Sequence, residues 1–241
     1  MSLVTPIAQQ REFWNRWNTE TREKGIEEIS RRQAQTVRRW LEASGRTDLD
    51  ILEVGCGAGW FCDELSAYGS VTGTDLSDEV LERARQRTPA ARFLAGDFMT
   101  LDLEGGGYDV VVTLEVLSHM ANQRHFIRKI ADLLRPGGTL MMATQNRTVL
   151  ERHNRIDPPQ PGQLRRWVDR DELTELLSDA FDIIEIGSVT PRANKGIMRY
   201  VNSRKLNAPV RAVFGNQVER LKERLGLGWT LMALARKRDH A

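Results

Sequence analysis

Along this chain, short unbroken apolar runs alternate with longer stretches in which apolar residues recur every third or fourth position. The runs predict strands over 50–54, 70–75, 92–96, 108–114, 139–144, 181–189 and 229–236. The recurrences predict helices over 26–41, 60–67, 78–86, 124–134 and 170–177. In the first of these, Ile26, Ile29, Val37 and Leu41 fall at helical spacing, and Gly45 stands where the helix would stop. Leu133 and Leu134 run into Arg135-Pro136-Gly137-Gly138, which cannot continue a helix. Asp169, followed three residues later by Glu172, has the form of a capping box opening the helix at 170. The stretch 145–162, with Pro158-Pro159 and Pro161-Gly162, reads as an irregular loop.

Strands such as Tyr108 to Leu114 are apolar throughout, with none of the alternation of a half-solvated strand. Alternating with helices, they call for a parallel sheet covered on both faces. The rhythm breaks between 190 and 228, which reads as a helical insertion before a final strand. A length of 241 residues suits one large α/β domain. Hydrophobic residues at 40% and charged residues at 28% permit a sizeable core. A formal net charge of +2 is too small for wholesale nucleic-acid binding. Cys56 and Cys62 stand six apart, outside the CxxC spacing of redox and zinc sites, and fit a reducing compartment. The apolar start is too short for a signal peptide and no window approaches a membrane span, so the expected location is cytoplasmic.

The candidate chemistry begins where the first strand meets Gly55, Gly57 and Gly59. A glycine-rich turn entering a helix lets backbone N–H groups approach a ligand without Cβ interference, be it a dinucleotide, a nucleotide or a related cofactor. The dinucleotide fingerprint needs its third glycine at position 60, and that residue is Trp60. Asp75 ends the second strand 20 residues after Gly55, the distance at which a carboxylate reaches both ribose hydroxyls of an adenosine-containing cofactor. Asp97 ends the third strand as a candidate acceptor for an adenine amino group, with Phe98 as a ring against the base.

Five pieces in order, "LEVGCGAG", "GTDLS", "AGDF", "YDVVVTLEVLSH" and "LLRPGGTLMMAT", resemble the class I S-adenosylmethionine-dependent methyltransferases, with the likeness running from Ile51 to Thr144. The resemblance implies a seven-stranded, doubly wound Rossmann-like α/β sheet whose last strand runs antiparallel. The whole of 1–241 would be one domain: an N-terminal helical lid over 1–45, the core sheet in 46–189 and 228–241, and a basic helical insertion over 190–227. It also implies that Glu53, Gly55, Gly57 and Gly59 line the methionine moiety, that Asp75 holds the ribose and that Asp97 faces the adenine. Leu76 and Phe98 would flank the ring, and Glu115 would join the cofactor site.

Within that family, "LEVLSH" resembles the Glu-Val-Leu-Glu-His element of small-molecule methyltransferases such as the ubiquinone-pathway O-methyltransferases, with Ser118 replacing the second glutamate. His119 matches the family histidine. It is read either as the base that takes a hydroxyl proton or as a residue that caps a helix or lines the pocket. The fifth strand ends Thr144-Gln145-Asn146, without the carboxylate of metal-dependent relatives, so no metal is expected. A small-molecule acceptor is expected, methylated on oxygen; an amine acceptor or a cofactor-binding protein without turnover are the alternatives.

Trp14 and Trp17, on one helical face with Phe13, are candidate acceptor contacts, as are Asn146 and His153 after the fifth strand. Between 191 and 224, nine basic residues stand against Glu219 and Glu223, an excess of +7. Such a segment reads as a solvated face, an attraction for an acidic acceptor or a peripheral membrane contact, and its apolar positions as cover for the site or for a dimer partner. The expected assembly is a monomer or homodimer.

Overall fold

The computed structural model describes residues 6–20, 28–103, 107–201 and 217–239. Its strands are β1 (Leu49–Val54), β2 (Gly69–Asp75), β3 (Arg92–Ala95), β4 (Tyr108–Leu114), β5 (Leu134–Gln145), β6 (Phe181–Pro191) and β7 (Gly228–Lys237). They form one seven-stranded sheet in the order β3-β2-β1-β4-β5-β7-β6. β1 pairs in parallel with β2 and with β4, β2 with β3, and β4 with β5. β7 runs antiparallel to both its neighbours, β5 and β6. All the expected strands are present, and the last one is reversed as expected.

The helices are α1 (Ile7–Glu20), α2 (Glu28–Ser44), α3 (Cys62–Leu65), α4 (Asp78–Arg87), α5 (Gln123–Leu133), α6 (Arg147–His153), α7 (Arg170–Ser178), α8 (Met198–Val201) and α9 (Gln217–Arg224), with a 3-10 turn at Leu117–His119. Because strand side chains alternate between faces, the continuous apolar runs feed two separate cores. On one face Leu52, Val111, Leu140 and Met142 pack with Phe126, Ile127 and Ile130 of α5 and Leu173 and Leu177 of α7. On the other, Ile51, Val110, Val112 and Met141 pack with Val37 and Leu41 of α2 and Leu81 and Ala84 of α4. Each fully buried Leu, Ile or Phe in these layers contributes about 1.5–3 kcal/mol.

Three expected elements differ. The helix expected over 60–67 is only the four-residue α3, because the left-handed Gly57 and Gly59 keep the chain in turns up to Phe61. The loop expected over 145–162 contains α6, a helix whose Val149 and Leu150 are buried against the body. The fifth strand begins at Leu134 rather than at 139. It pairs Tyr108 with Leu134 and then shifts register before Val110 meets Thr139, so the Pro136-Gly137 segment is a bulged edge and not a turn. The capping box forms as expected. The Glu172 N–H donates to Asp169 Oδ1 at 3.0 Å, and the Asp169 N–H donates to Glu172 Oε2 at 3.0 Å.

The described part of the insertion docks on β6: Ser188 Oγ donates to the Glu223 carbonyl at 2.7 Å, and Glu223 pairs with Arg32 of α2 at 2.7 Å. Lys222 is buried and donates to the Val201 carbonyl at 2.7 Å, joining α9 to α8. Arg192 pairs with Glu28 at 3.4 Å. Part of the basic excess is therefore spent on internal contacts. Arg204, Lys205 and Arg211 lie outside the described residues. Among the described residues, no helix is long and apolar enough to cross a membrane.

Candidate active site

The sheet order places β1 between β2 and β4, so the chain runs outward from β1 through β2 to β3 and then crosses back to β4 on the other side, which opens a crevice at the carboxyl ends of the strands. A cavity of about 690 Å³ occupies that position. Its walls come from the ends of β1, β2, β3 and β4, from α1 and α2, and from the 163–167 segment.

The glycine loop forms the floor. The N–H groups of Gly55 and Cys56 donate to the Thr74 carbonyl at 2.7 and 3.0 Å, pinning the loop to the end of β2. Gly55, Gly57 and Gly59 have φ of +76°, +54° and +67°, the left-handed region that suits glycine. A Cβ at Gly55 would overlap Val116 Cγ2, whereas one at Gly57 would meet nothing closer than Asn18 Oδ1 at 3.5 Å. Gly57 thus leaves open space on the cavity side, as a backbone that must approach a ligand requires. Its N–H donates to Asp75 Oδ2 at 2.8 Å, and the Ser77 N–H donates to Asp75 Oδ1 at 2.8 Å. Burial raises the Asp75 pKa above the usual carboxylate range, and these backbone donors oppose that rise.

Leu76, Asp97, Phe98 and Glu115 line the same cavity. Asp97 Oδ1 accepts from the Met99 N–H at 2.9 Å, which fixes the carboxylate at the end of β3. Phe98 packs edge-on to Phe126 with ring centroids 5.3 Å apart, and Lys129 Nζ lies 5.3 Å from its ring centre. Glu115 has a φ of 67°, an unusual conformation for a side chain with a Cβ and one that marks functional sites. Its Oε1 accepts from Gln33 Nε2 of α2 and from Thr230 Oγ1 of β7. Sequence reasoning did not find Gln33, because only the tertiary fold brings α2 against this strand end.

His119 lies on the opposite wall with Trp14 and Trp17 of α1. Its Nδ1 donates to the Leu164 carbonyl at 2.7 Å, since a carbonyl only accepts. That bond assigns the ring proton to Nδ1 and leaves the lone pair on Nε2. The Arg166 N–H donates to the Ser118 carbonyl at 2.7 Å, and Gln123 Nε2 donates to the Leu117 and Arg166 carbonyls at 3.0 and 2.8 Å. Residues 164–166 are thereby strapped to the His119 turn. Trp14 meets the imidazole edge-on at a centroid distance of 4.6 Å. Burial lowers the His119 pKa to about 4, the Leu164 bond opposes that shift, and the Arg165 charge adds to it.

Other sequence candidates sit off the cavity wall. The Glu53 carboxylate is buried behind the loop and accepts from the Cys62 thiol at 2.9 Å. Gly59 faces α4, where an added Cβ would come within 3.0 Å of Ala84 Cβ. Asn146 donates from Nδ2 to the Gly226 and Gly228 carbonyls at 3.0 and 2.9 Å, tying the end of β5 to the start of β7. The His153 carbonyl accepts from the Asn194 and Lys195 N–H groups at 3.1 and 3.0 Å, and its ring is not part of the wall. Ser118 is fully buried outside the cavity, so the departure from the Glu-Val-Leu-Glu-His pattern does not touch the cavity. No described residue of the basic insertion lines the cavity either. Sequence reasoning also missed Arg165 and Trp167, two wall residues whose guanidinium and ring lie 5.3 Å apart.

Residues 52–142 match the family model described as a methyltransferase domain. The chain is 34% identical over 135 residues to a "Probable S-adenosylmethionine-dependent methyltransferase" of Mycobacterium tuberculosis, covering 56% of this chain and 48% of that protein. It is 36% identical over 106 residues to a "Ubiquinone biosynthesis O-methyltransferase" of a Chelativorans species, covering 42% of each. The chain therefore spans about half or less of the length of these curated relatives. Two solved structures share the fold. One is N-methyltransferase NodS from Bradyrhizobium japonicum with S-adenosyl-L-homocysteine, at a TM-score of 0.65 and 18% identity over 95% of this chain and 98% of that one. The other is an S-adenosylmethionine dependent methyltransferase from Mesorhizobium loti, at 0.60 and 21% over 82% and 96%.

Proposed function

Because this chain carries a class I S-adenosylmethionine-dependent methyltransferase domain, we propose that it methylates a hydroxyl oxygen of a small molecule, with His119 as the proton acceptor. The observation that carries this reading is the Nδ1 bond of His119 to the Leu164 carbonyl, which leaves the Nε2 lone pair without a hydrogen-bond partner among the described residues. A cavity of about 690 Å³ supports a small acceptor beside the cofactor, since small-molecule sites span about 300–1,000 Å³.

The residues present fit the cofactor. Gly57 leaves room on the cavity side, and Asp75 and Asp97 present carboxylates at the ends of β2 and β3 for hydroxyl and amino donors. When bound, S-adenosylmethionine would supply an electrophilic methyl group on a sulfonium, whose carbon–sulfur bond breaks as the acceptor oxygen bonds to the methyl carbon and S-adenosyl-L-homocysteine leaves as the neutral thioether. Asp75 would accept from the ribose hydroxyls, Asp97 would accept from the adenine amino group, and Leu76 and Phe98 would hold the ring between apolar walls. The glycine loop and Glu115 bound the methionine end. Positioning of this kind supplies most of the acceleration in a displacement reaction. His119 Nε2 takes the hydroxyl proton as the oxygen forms its new bond, so no proton is left on the ether. Trp14 and Trp17 cover the acceptor side and exclude water.

Calorimetry with S-adenosyl-L-homocysteine and with NAD, followed by turnover against matched phenol and amine acceptors, tests the proposal. Micromolar binding of S-adenosyl-L-homocysteine, no binding of NAD and methyl ether products are expected. Preferential methylation of amines would overturn the oxygen assignment; comparable NAD binding would overturn the cofactor assignment.

A further inference from the structure

The cavity is electrically divided. Its carboxylates, Asp75, Asp97 and Glu115, stand at the ends of β2, β3 and β4, where a positively charged sulfonium cofactor would lie. Among the described residues on its wall, the one lysine or arginine is Arg165. Arg165 is half-buried, and among the described residues it makes no ion pair, although the Asp157 carboxylate acts on it from a longer distance. Its Nη1 donates to the Asp157 carbonyl at 2.6 Å and its Nη2 to Gln163 Oε1 at 2.8 Å, and it lies over the Trp167 ring. These neutral partners fix the guanidinium plane, and the Asp157 charge acts on it without pairing with it. The flanking hydrogen bonds, Leu164 to the His119 ring and Arg166 to Ser118, set Arg165 beside the candidate base.

We propose that Arg165 recognises an anionic group on the methyl acceptor, and that the acceptor class is an acid with an apolar body whose hydroxyl reaches His119 Nε2. The inference rests on the methyltransferase reading above. Trp14, Trp17, Trp167, Met120 and Ile156 on the same wall supply the surface for the apolar body. A carboxylate is planar and matches the guanidinium fork, whereas a second cation would be repelled from it. Burial lowers the Arg165 pKa and the Asp157 charge opposes that shift, so an anion seated beside the guanidinium would relieve the remaining cost of its desolvation. An anion seated there also offsets the field that Arg165 imposes on His119 and makes the imidazole a stronger base as the acceptor arrives.

The test uses benzoate and benzamide, probes of one shape that differ in charge, titrated into the full chain saturated with S-adenosyl-L-homocysteine and followed through the ring resonances of His119. Benzoate should bind roughly 10- to 100-fold more tightly than benzamide, the range for a hydrogen bond to a charged group, and should shift the His119 signals. Arg165→Gln should remove that preference without changing the affinity for S-adenosyl-L-homocysteine, and Arg165→Lys should retain part of it. Equal binding of the two probes, or no binding of benzoate, overturns the proposal. So does loss of S-adenosyl-L-homocysteine affinity in a folded Arg165→Gln protein, which would give Arg165 to the cofactor carboxylate. Should Arg165→Gln not fold, the wild-type comparison and Arg165→Lys still decide. If S-adenosyl-L-homocysteine fails to bind the wild-type chain, the methyltransferase reading falls first, a result separate from the probe comparison.

Discussion

The His119 ring donates its Nδ1–H to the Leu164 carbonyl at 2.7 Å, so the unprotonated nitrogen of the neutral ring is Nε2. With the pKa held near 4 by burial, the neutral form persists across the physiological range. As a proton acceptor His119 works only when neutral, so kcat/KM should be level above about pH 6 and fall as pH drops through about 4. The sign for stability follows the same protons. The unfolded imidazole titrates near 6.5 and the folded one near 4, so below 6.5 the unfolded chain binds a proton that the folded chain does not. This contribution to stability is complete above 6.5 and is lost as pH falls towards 4. His119→Ala should lower the rate by about 10²–10⁴-fold with little change in cofactor affinity, and its unfolding midpoint should depend less steeply on pH in that window. Full turnover in the variant would remove the base assignment; lost cofactor affinity would make His119 a pocket residue.

The three loop glycines should separate by substitution. Gly55→Ala combines a φ of +76° with a Cβ inside Val116, and Gly59→Ala sets a Cβ 3.0 Å from Ala84 at a φ of +67°. Each should cost about 1–3 kcal/mol of stability, the range for overpacking. At Gly57 there is room, so Gly57→Ala should carry mainly the backbone cost of about 1 kcal/mol while losing cofactor affinity out of proportion. Denaturant titration alongside calorimetry with S-adenosyl-L-homocysteine reads both quantities. A Gly57→Ala protein with wild-type affinity would show that no ligand approaches that backbone.

Asp75 is the second test of the cofactor pose. Both its oxygens already accept backbone N–H groups, at 2.8 Å each, so the carboxylate is held in place before any ligand arrives. Removing it in Asp75→Ala should weaken S-adenosyl-L-homocysteine binding by about 1.5–3 kcal/mol, the range for hydrogen bonds to a charged group. Because burial raises its pKa, affinity should begin to fall, as pH is lowered, sooner than for an ordinary aspartate. Unaltered affinity in a folded variant would exclude the ribose contact.

What the sequence discloses here depends on how local the cause is. The strands and the Asp169–Glu172 cap follow from periodicity and from contacts three residues apart, and both are present. α6 escapes because it has seven residues and no side-chain cap, its Asn146 amide being committed to β7. Apart from Glu53 and Gly59, the cofactor-side candidates cluster because strand ends in a parallel sheet converge wherever the order reverses. Asn146 and His153 do not join the wall, since they begin and end the unforeseen α6 and Asn146 is claimed by the Gly226 and Gly228 carbonyls. Arg165 is one of many arginines in the sequence. Only the strap between 164–166 and 118–119 distinguishes it, and that contact spans more than forty residues of chain.

Trp14 joins the first helix to the proposed base. It lies edge-on to His119 at 4.6 Å and lines the same cavity, on a helix that carries Phe13 into the core and sets Trp14 edge-on to Trp17 at 5.5 Å. The low pKa of His119 comes first from burial, and Trp14 is the ring that covers it on the α1 side. Trp14→Ala should admit water to the imidazole and move its pKa from about 4 towards the ordinary histidine value of 6.5. The acid limb of the kcat/KM profile should then shift up by the same amount, so that the variant loses far more activity at pH 5 than at pH 8. Histidine ring resonances followed through a pH titration of both proteins measure the shift directly, without an acceptor in hand. A purely structural Trp14 would lower stability or activity at every pH alike. An unmoved His119 titration in a folded Trp14→Ala protein would show that some other part of the fold keeps the base dry.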